Sequence, residues 1–318
     1  MEIVPFQSQY VDSAAALFVE NLGRLRLRVP VLSDRMTDPQ MVADKLRSLL
    51  DAGPAVIALD QGKLVGYLGS YLIDHFRDTE RKAAFCPEWG YAVQGDRKEP
   101  ITRALYRAAA EQWTEAGCHA HAISLLAHDP VTQNVWFWQG FGLLVVDAVR
   151  PLTLVDTPSP TGITIRQATA DDVELLARLD AEHWQHYAQP PILMAVQWAD
   201  DPAAWADFLT TPGNSAWLAI KDSEAAGFMR FERHSRGAAA IVAAETNVAI
   251  TGAFVRPAYR GCRAAVALLN AAFADYARQG IDRCSVDFEA INPEAAAFWM
   301  KYFDPVCLSV MRVPEKSK

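Results

Sequence analysis

Hydrophobic positions along the chain switch between two periods, and the clearest switch lies within residues 247–280. Val248, Ile250 and Phe254 alternate with Ala249, Thr251, Ala253 and Val255, the two-residue period of a strand. After a short turn over residues 256–263, Ala265, Leu268, Leu269, Ala272, Phe273 and Tyr276 fall at helical spacing. Gly280 then stands where that helix should end. A turn that carries a glycine and opens a helix presents free backbone N–H groups at the positive end of the helix dipole. Such a place suits a phosphate or pyrophosphate.

The same pattern occurs twice. At one constant offset Arg97 meets Arg260, Leu105 meets Leu268, Gly117 meets Gly280, Pro130 meets Pro293 and Trp136 meets Trp299. Earlier landmarks pair with a drift of one or two positions: Gly90 with Gly252, Gly66 with Gly227, Leu17 with Leu179. A run of matches at a nearly fixed offset implies a duplicated domain. Each half reads as a strand, an amphipathic helix, a variable helical region and a hairpin. A long strand, the turn and helix, another strand, a second helix and a last strand follow. The hairpins are expected over residues 55–68, turning at Gln61-Gly62, and over residues 217–231, turning at Lys221-Asp222. A Pro/Ser-rich stretch at 155–162 has the composition of a linker, giving domains at 1–154 and 163–318.

Pro257, Arg260, Gly261 and Ala265, after the strand and before the helix, resemble the acyl-CoA loop of the GNAT (GCN5-related N-acetyltransferase) family. Arg263 stands where a glycine is usual, and Ala258 at an Arg/Gln position. Further on, Asn292, Ala295 and Phe298 match the family's second motif. Trp299 replaces its Tyr, and Phe303-Asp304 replace its Gly-Phe. The resemblance implies an α/β (α+β) fold of two tandem domains, each a mixed, mostly antiparallel central sheet flanked by helices. It also implies acetyl-CoA as co-substrate. The loop residues Arg260, Gly261, Cys262, Arg263, Ala264 and Ala265 would hold the pyrophosphate. Phe254 and Val255 would hold the pantetheine through their backbone, and Asn292, Phe298 and Trp299 would line its path.

The halves differ at the loop. Lys98, Glu99 and Pro100 occupy the positions of Gly261, Cys262 and Arg263. Pro100 removes a backbone donor, while Asp96 and Glu99 add negative charge beside a would-be anion. The N-terminal copy is therefore expected to keep the fold and to have lost the cofactor.

Composition narrows the function. A net charge of −8 argues against nucleic acid, which wants a basic face. Five cysteines, odd in number and widely spaced, form no C-x-x-C and no metal-ligand set, the pattern of reduced thiols in a cytoplasmic protein. The first residues carry no signal-peptide pattern, and no apolar run is long enough for a membrane span. No metal is expected, and His119 and His121 read as structural. The short link between the copies points to a monomer with an internal pseudo-dimer.

Acetyl transfer to an amine needs a polarised thioester carbonyl, a neutral amine and a tolerated thiolate. Gly252, inside a β-forming run, marks either a bulge or packing room. Glu245, just before the long strand, is the candidate base, with Asp287 and Glu289 on the next strand as alternatives. Trp299 cannot act as an acid, which leaves Tyr302, three residues on. The aromatic segment His183, Trp184, His186, Tyr187, Trp198, Trp205 and Phe208 reads either as an acceptor wall or as a seal between the copies. The leading expectation is an acetyl-CoA-dependent N-acetyltransferase acting on a small amine from the C-terminal domain. The alternative is an inactive acyl-CoA-binding or scaffold protein.

Overall fold

The structure, a computed structural model, describes residues 1–194 and 199–315. The first half contributes β1 (Glu2–Pro5), α1 (Val11–Arg28), α2 (Pro39–Ala52), β2 (Ala55–Asp60), β3 (Lys63–Gly69) and β4 (Tyr71–Ile73). It continues through β5 (Ala83–Cys86), β6 (Tyr91–Val93), α3 (Lys98–Glu115), β7 (Ala120–Leu126), α4 (Pro130–Phe137) and β8 (Gly142–Pro151). The second half contributes β9 (Ile163–Gln167), α5 (Val173–Tyr187), α6 (Pro202–Thr210), β10 (Ser215–Lys221), β11 (Glu224–Glu232) and β12 (Asn247–Val255). It ends with α7 (Ala264–Arg278), β13 (Arg283–Glu289), α8 (Pro293–Tyr302) and β14 (Asp304–Arg312). The duplicated pattern thus becomes a duplicated order of elements.

The chain divides into two compact units. The first comprises Met1–Asp147, Ala239–Val242 and Asp304–Lys318, the second Ala148–Ala238 and Ala243–Phe303. In the first, β1, β2, β3 and β6 pair antiparallel. A further set runs β4–β5 antiparallel, β5–β7 parallel and β7–β14 antiparallel. The chain's last strand therefore completes the first unit's sheet, from Cys307 opposite Leu126 to Arg312 opposite His121. The second unit runs β9–β10–β11–β12 antiparallel and β12–β13 parallel. The four-stranded sheet is wholly antiparallel, whereas the other strand sets are mixed and mostly antiparallel, each unit being α/β as the sequence implies.

Local chemistry accounts for the turns and helix starts. The first hairpin turns at Gln61-Gly62, both with positive φ. The second turns at Asp222-Ser223, one residue later than expected, again with both φ positive. This is the twist-matched geometry of a two-residue hairpin. Asp38, Asp129, Asp201 and Asn292 each cap a helix whose next residue is proline, which needs no N–H donor there. Leu105, Trp113, Ile123 and Trp136 belong to the first core, and Leu176, Trp205, Phe208 and Phe228 to the second.

In the first unit the counterpart of the long β12 is broken. Pro87 and the 3₁₀ turn Glu88–Gly90 divide it into β5 and β6. Glu88 is buried there and accepts a hydrogen bond from the Ile241 N–H at 3.1 Å. Desolvation raises its carboxyl above the ordinary value. Asp147 accepts from the Ala239 N–H at 2.8 Å, so carboxylates receive backbone N–H groups of the inserted 239–242 segment on Asp147 and on Glu88.

Candidate active site

The second unit opens where two parallel strands part. β12 and β13 are in register from Asn247 opposite Arg283 to Ile250 opposite Val286, and the pairing stops there. β12 continues to Val255 and β13 to Glu289, so their facing edges have no ladder partner in each other beyond that point. On its other side β12 stays paired with β11, but the register slips. Arg230 faces Gly252 and Phe231 faces Ile250, leaving Thr251 as the extra residue of a bulge. Of the two readings of Gly252, the bulge is the one realised. A Cβ at Gly252 would meet nothing closer than 3.5 Å, so space is not its reason. Space does dictate Gly227 on β11, where a Cβ would lie 2.3 Å from the Phe254 carbonyl oxygen.

The turn after β12 is shaped by backbone conformation. Residues 257–259 form a 3₁₀ turn, then Gly261 takes φ 78° and Arg263 φ 67°. Arg263 thus keeps the left-handed conformation that a glycine would supply more easily. No atom lies within 4 Å of a Cβ placed on Gly261, so its face is open. α7 begins at Ala264, and its first intrahelical bond runs from the Ala267 N–H to the Arg263 carbonyl. The N–H groups before it point out of the helix start, the arrangement that binds anions.

Around this opening lies a cavity of about 560 Å³. Phe254, Val255, Arg260, Gly261, Arg263, Ala264 and Ala265 line it from the strand and loop. Asn292, Phe298, Trp299 and Tyr302 line it from α8 and its cap. Cys262 is the one expected cofactor residue not in the lining, and its thiol is directed to the Tyr259 carbonyl at 2.6 Å. Glu245 is also outside, in the exposed turn before β12. Its carbonyl, not its carboxylate, is engaged, accepting from Arg233. Of the two alternatives on β13, Asp287 lines the cavity and Glu289 does not.

Several of these groups already have partners. Arg260 donates to the Val255 carbonyl at 3.2 Å and to Glu294 Oε1 at 2.7 Å. His186 Nε2 lies 3.9 Å from the other Glu294 oxygen. Asn292 caps α8 through the Ala295 N–H at 3.1 Å. Desolvation pushes the Tyr187 hydroxyl up to about 12, with Glu289 and Asp287 adding to the rise and a hydrogen bond to Asn292 opposing it. Burial also raises the Asp287 carboxyl, against a hydrogen bond from Ser235.

The aromatic segment of the sequence divides. His183, His186 and Tyr187 line the cavity, whereas Trp205 and Phe208 lie in the core beneath the Arg230 guanidinium, 5.0 and 4.1 Å from their ring centres. Trp198 lies outside the described residues. His183 is the lining residue whose chemistry sequence reasoning passed over. Asp180, one helical turn before it, was the available signal.

The first unit is built otherwise at the matching positions. Lys98, where the second has Gly261, sends its ammonium to Asp129 Oδ2 at 2.5 Å. Asp129, where the second has Asn292, also accepts from the Val131 and Thr132 N–H groups and the Thr132 hydroxyl. Burial alone would raise Asp129, but the Lys98 ammonium and Thr132 hydroxyl hold it below the usual carboxylate range. Among the described residues no cluster of potential metal ligands is found.

A strand parting from its parallel neighbour, a bulge, and an open loop at a helix start are what a nucleotide-bearing thioester would require. The open face of Gly261 and the donors of α7 fit its pyrophosphate. Residues 176–304 match the acetyltransferase (GNAT) family. Among solved structures, a GCN5-related N-acetyltransferase from Sphaerobacter thermophilus is 14% identical with a TM-score of 0.57, over 100% of this chain and 97% of that one. The GCN5-related glucosamine N-acetyltransferase region of a fungal multi-domain GH3 beta-N-acetylglucosaminidase is 12% identical with a TM-score of 0.53, over 98% of this chain and 38% of that one. No curated protein matches the sequence. The solved structures speak to the fold alone, and the family match is confined to residues 176–304, which hold the parted strands, the loop and the cavity.

Proposed function

We propose that the protein is an acetyl-CoA-dependent N-acetyltransferase that acylates a small amine, with the chemistry in the second unit. The observation that carries this reading is that the loop, the parted strands and Asp287 all border one cavity. Acetyl-CoA, when bound, supplies an acyl group already activated as a thioester. The N–H groups at the start of α7 and the Gly261 face hold the pyrophosphate, and Arg260 adds charge there. The edge of β12 freed between Gly252 and Val255 offers backbone groups to the pantetheine and a donor to the thioester carbonyl. Asp287 provides the anionic end of the cavity and receives the acceptor as an ammonium ion. Tyr302, at the end of α8, is placed to return a proton to the departing sulfur.

Calorimetry with acetyl-CoA on the whole chain tests the reading. One site per chain is expected, and its loss in Gly261→Glu, which puts a charge and a side chain into the cradle. Two equivalent sites, or unchanged affinity in that variant, would refute it. A panel of amines assayed by thiol release then identifies the acceptor.

A further inference from the structure

His183 stands in an unusual setting for a polar ring. It lies on α5, its side chain only 12% exposed, and it lines the cavity. Aromatic rings surround it, with centroids 5.1 Å away for Tyr187, 5.8 Å for Phe254, 6.0 Å for Phe228 and 6.1 Å for Trp184. Asp180 is an ionic neighbour, its Oδ1 3.7 Å from Nδ1. Asp180 is buried and cannot swing away, because its other oxygen accepts from the Asp200 N–H at 2.9 Å. A fixed carboxylate on the Nδ1 side favours the proton there and leaves Nε2 as the basic nitrogen of a ring that lines the cavity. Phe254 belongs to the part of β12 that has left β13, so the ring sits against the stretch where acyl transfer is proposed.

Resting on that acyl-transfer reading, we propose that His183, oriented by Asp180, is the proton acceptor for the incoming amine. The role fits a division of labour, in which Asp287 holds the ammonium ion and the imidazole removes its proton. An ammonium N–H bond breaks and its proton passes to Nε2. The electron pair left on nitrogen forms the bond to the acyl carbon as the C–S bond breaks toward sulfur. The second proton lost as the amide forms balances the one taken up by sulfur, and the imidazolium discharges to solvent. Asp180 and Tyr187 flank the ring on its own helix, and the titratable or charged groups that line the cavity with it include His186, Asp287 on β13, Arg260 on the loop, and Glu294 and Tyr302 on α8. Phe228 and Phe254 from the sheet carry no charge, and the Asp200 carboxylate is already paired with Arg230 at 2.5 Å.

The test uses the full chain and the best amine of the panel. His183→Gln should lower turnover by about 10²-fold, keep acetyl-CoA affinity by calorimetry within about twofold of wild type, and erase the acidic limb of the pH profile. Added imidazole should restore part of the rate to His183→Ala, and Asp180→Asn should shift the acidic limb while keeping its shape. In ¹⁵N-histidine-labelled protein, the His183 signal, identified by its loss in His183→Gln, should move when the amine is added without acetyl-CoA. Wild-type turnover and pH profile in His183→Gln, or a lost rate explained wholly by lost acetyl-CoA affinity, would overturn the proposal. Failure of imidazole to rescue would count equally against it. A wild-type protein that binds no acetyl-CoA would bring down the acyl-transfer reading first, and this one with it.

Discussion

Lys98 and Asp129 are joined by a 2.5 Å ion pair at the two positions that Gly261 and Asn292 hold in the second unit. Both side chains are largely buried, at 15% and 14% exposure. Where one copy keeps an open cradle, the other closes it with its own charges. A cation supplied by the chain pairs with the carboxylate that caps α4. Removing either partner strands the other in a poorly solvated place, and such losses cost several kcal/mol when burial is complete.

Lys98→Met is therefore expected to destabilise the first unit by about 1–3 kcal/mol, and Asp129→Asn by less, since the amide still caps α4. Neither should alter acetyl-CoA affinity. Denaturant unfolding and calorimetry check the two halves of the expectation. A Lys98→Met protein of unchanged stability, or with a second cofactor site, would contradict it.

A second expectation concerns Glu294. Its carboxylate holds Arg260 at 2.7 Å inside the same cavity, so a pyrophosphate must compete for that guanidinium. Glu294 is 47% exposed, and ion pairs of this kind contribute only about 0.2–1 kcal/mol. Glu294→Gln should tighten acetyl-CoA binding by about two- to fivefold at low salt, with the gain shrinking as ionic strength rises. Weaker binding in the variant would mean that Glu294 orients Arg260 for the phosphate rather than withholding it.

Acid should loosen the first unit through His121. Its Nδ1 lies 3.0 Å from the Tyr106 hydroxyl, which also accepts from Arg312, so the tyrosine proton is the one shared with the ring. Nε2 is buried without a hydrogen-bond partner. Burial, aided by the Arg312 charge, lowers the imidazole to about 4 from its ordinary 6.5. With the folded value depressed, the unfolded chain takes up the proton first. The contribution is complete above about pH 6.5 and is lost as pH falls toward 4. About 1–2 kcal/mol should disappear over that window. His121→Phe should flatten that slope in thermal melts from pH 7 to 4. An identical slope would place the acid sensitivity elsewhere.

Much of this architecture was legible because the chain carries the same pattern twice. Landmarks such as Gly117/Gly280 and Pro130/Pro293 mark helix ends and starts, which are set by local chemistry. What local patterns do not encode is pairing at long range. Nothing in residues 304–312 announces that they pair with β7. Thr251 becomes the bulge only through the register with β11. Likewise Lys98 could be read as a lost glycine, but not as the partner of Asp129. His183 and Asp180 have helical spacing, yet their meaning depends on Phe254, far along the chain, coming to rest against the ring.

The last expectation is for Tyr302. It lies at the end of α8 and lines the cavity, its ring 5.1 Å from that of Phe298. Trp299, one turn earlier, lines the same cavity but offers only an indole N–H, which is no proton source for sulfur. A thiol is already a fair leaving group near neutral pH, so the phenol matters only if departure of sulfur limits the rate. General-acid help is typically worth ~10²–10⁴-fold, far more than the loss of one surface hydroxyl would produce. Tyr302→Phe should thus lower kcat by at least about 10²-fold while acetyl-CoA affinity stays nearly constant, because the ring packed on Phe298 is kept. An activated thioester with a more acidic thiol should recover most of the loss, since it needs no proton to depart. Unchanged turnover would leave solvent as the acid. Lost cofactor affinity would instead assign the hydroxyl to binding, and rate measurements on both thioesters separate these outcomes.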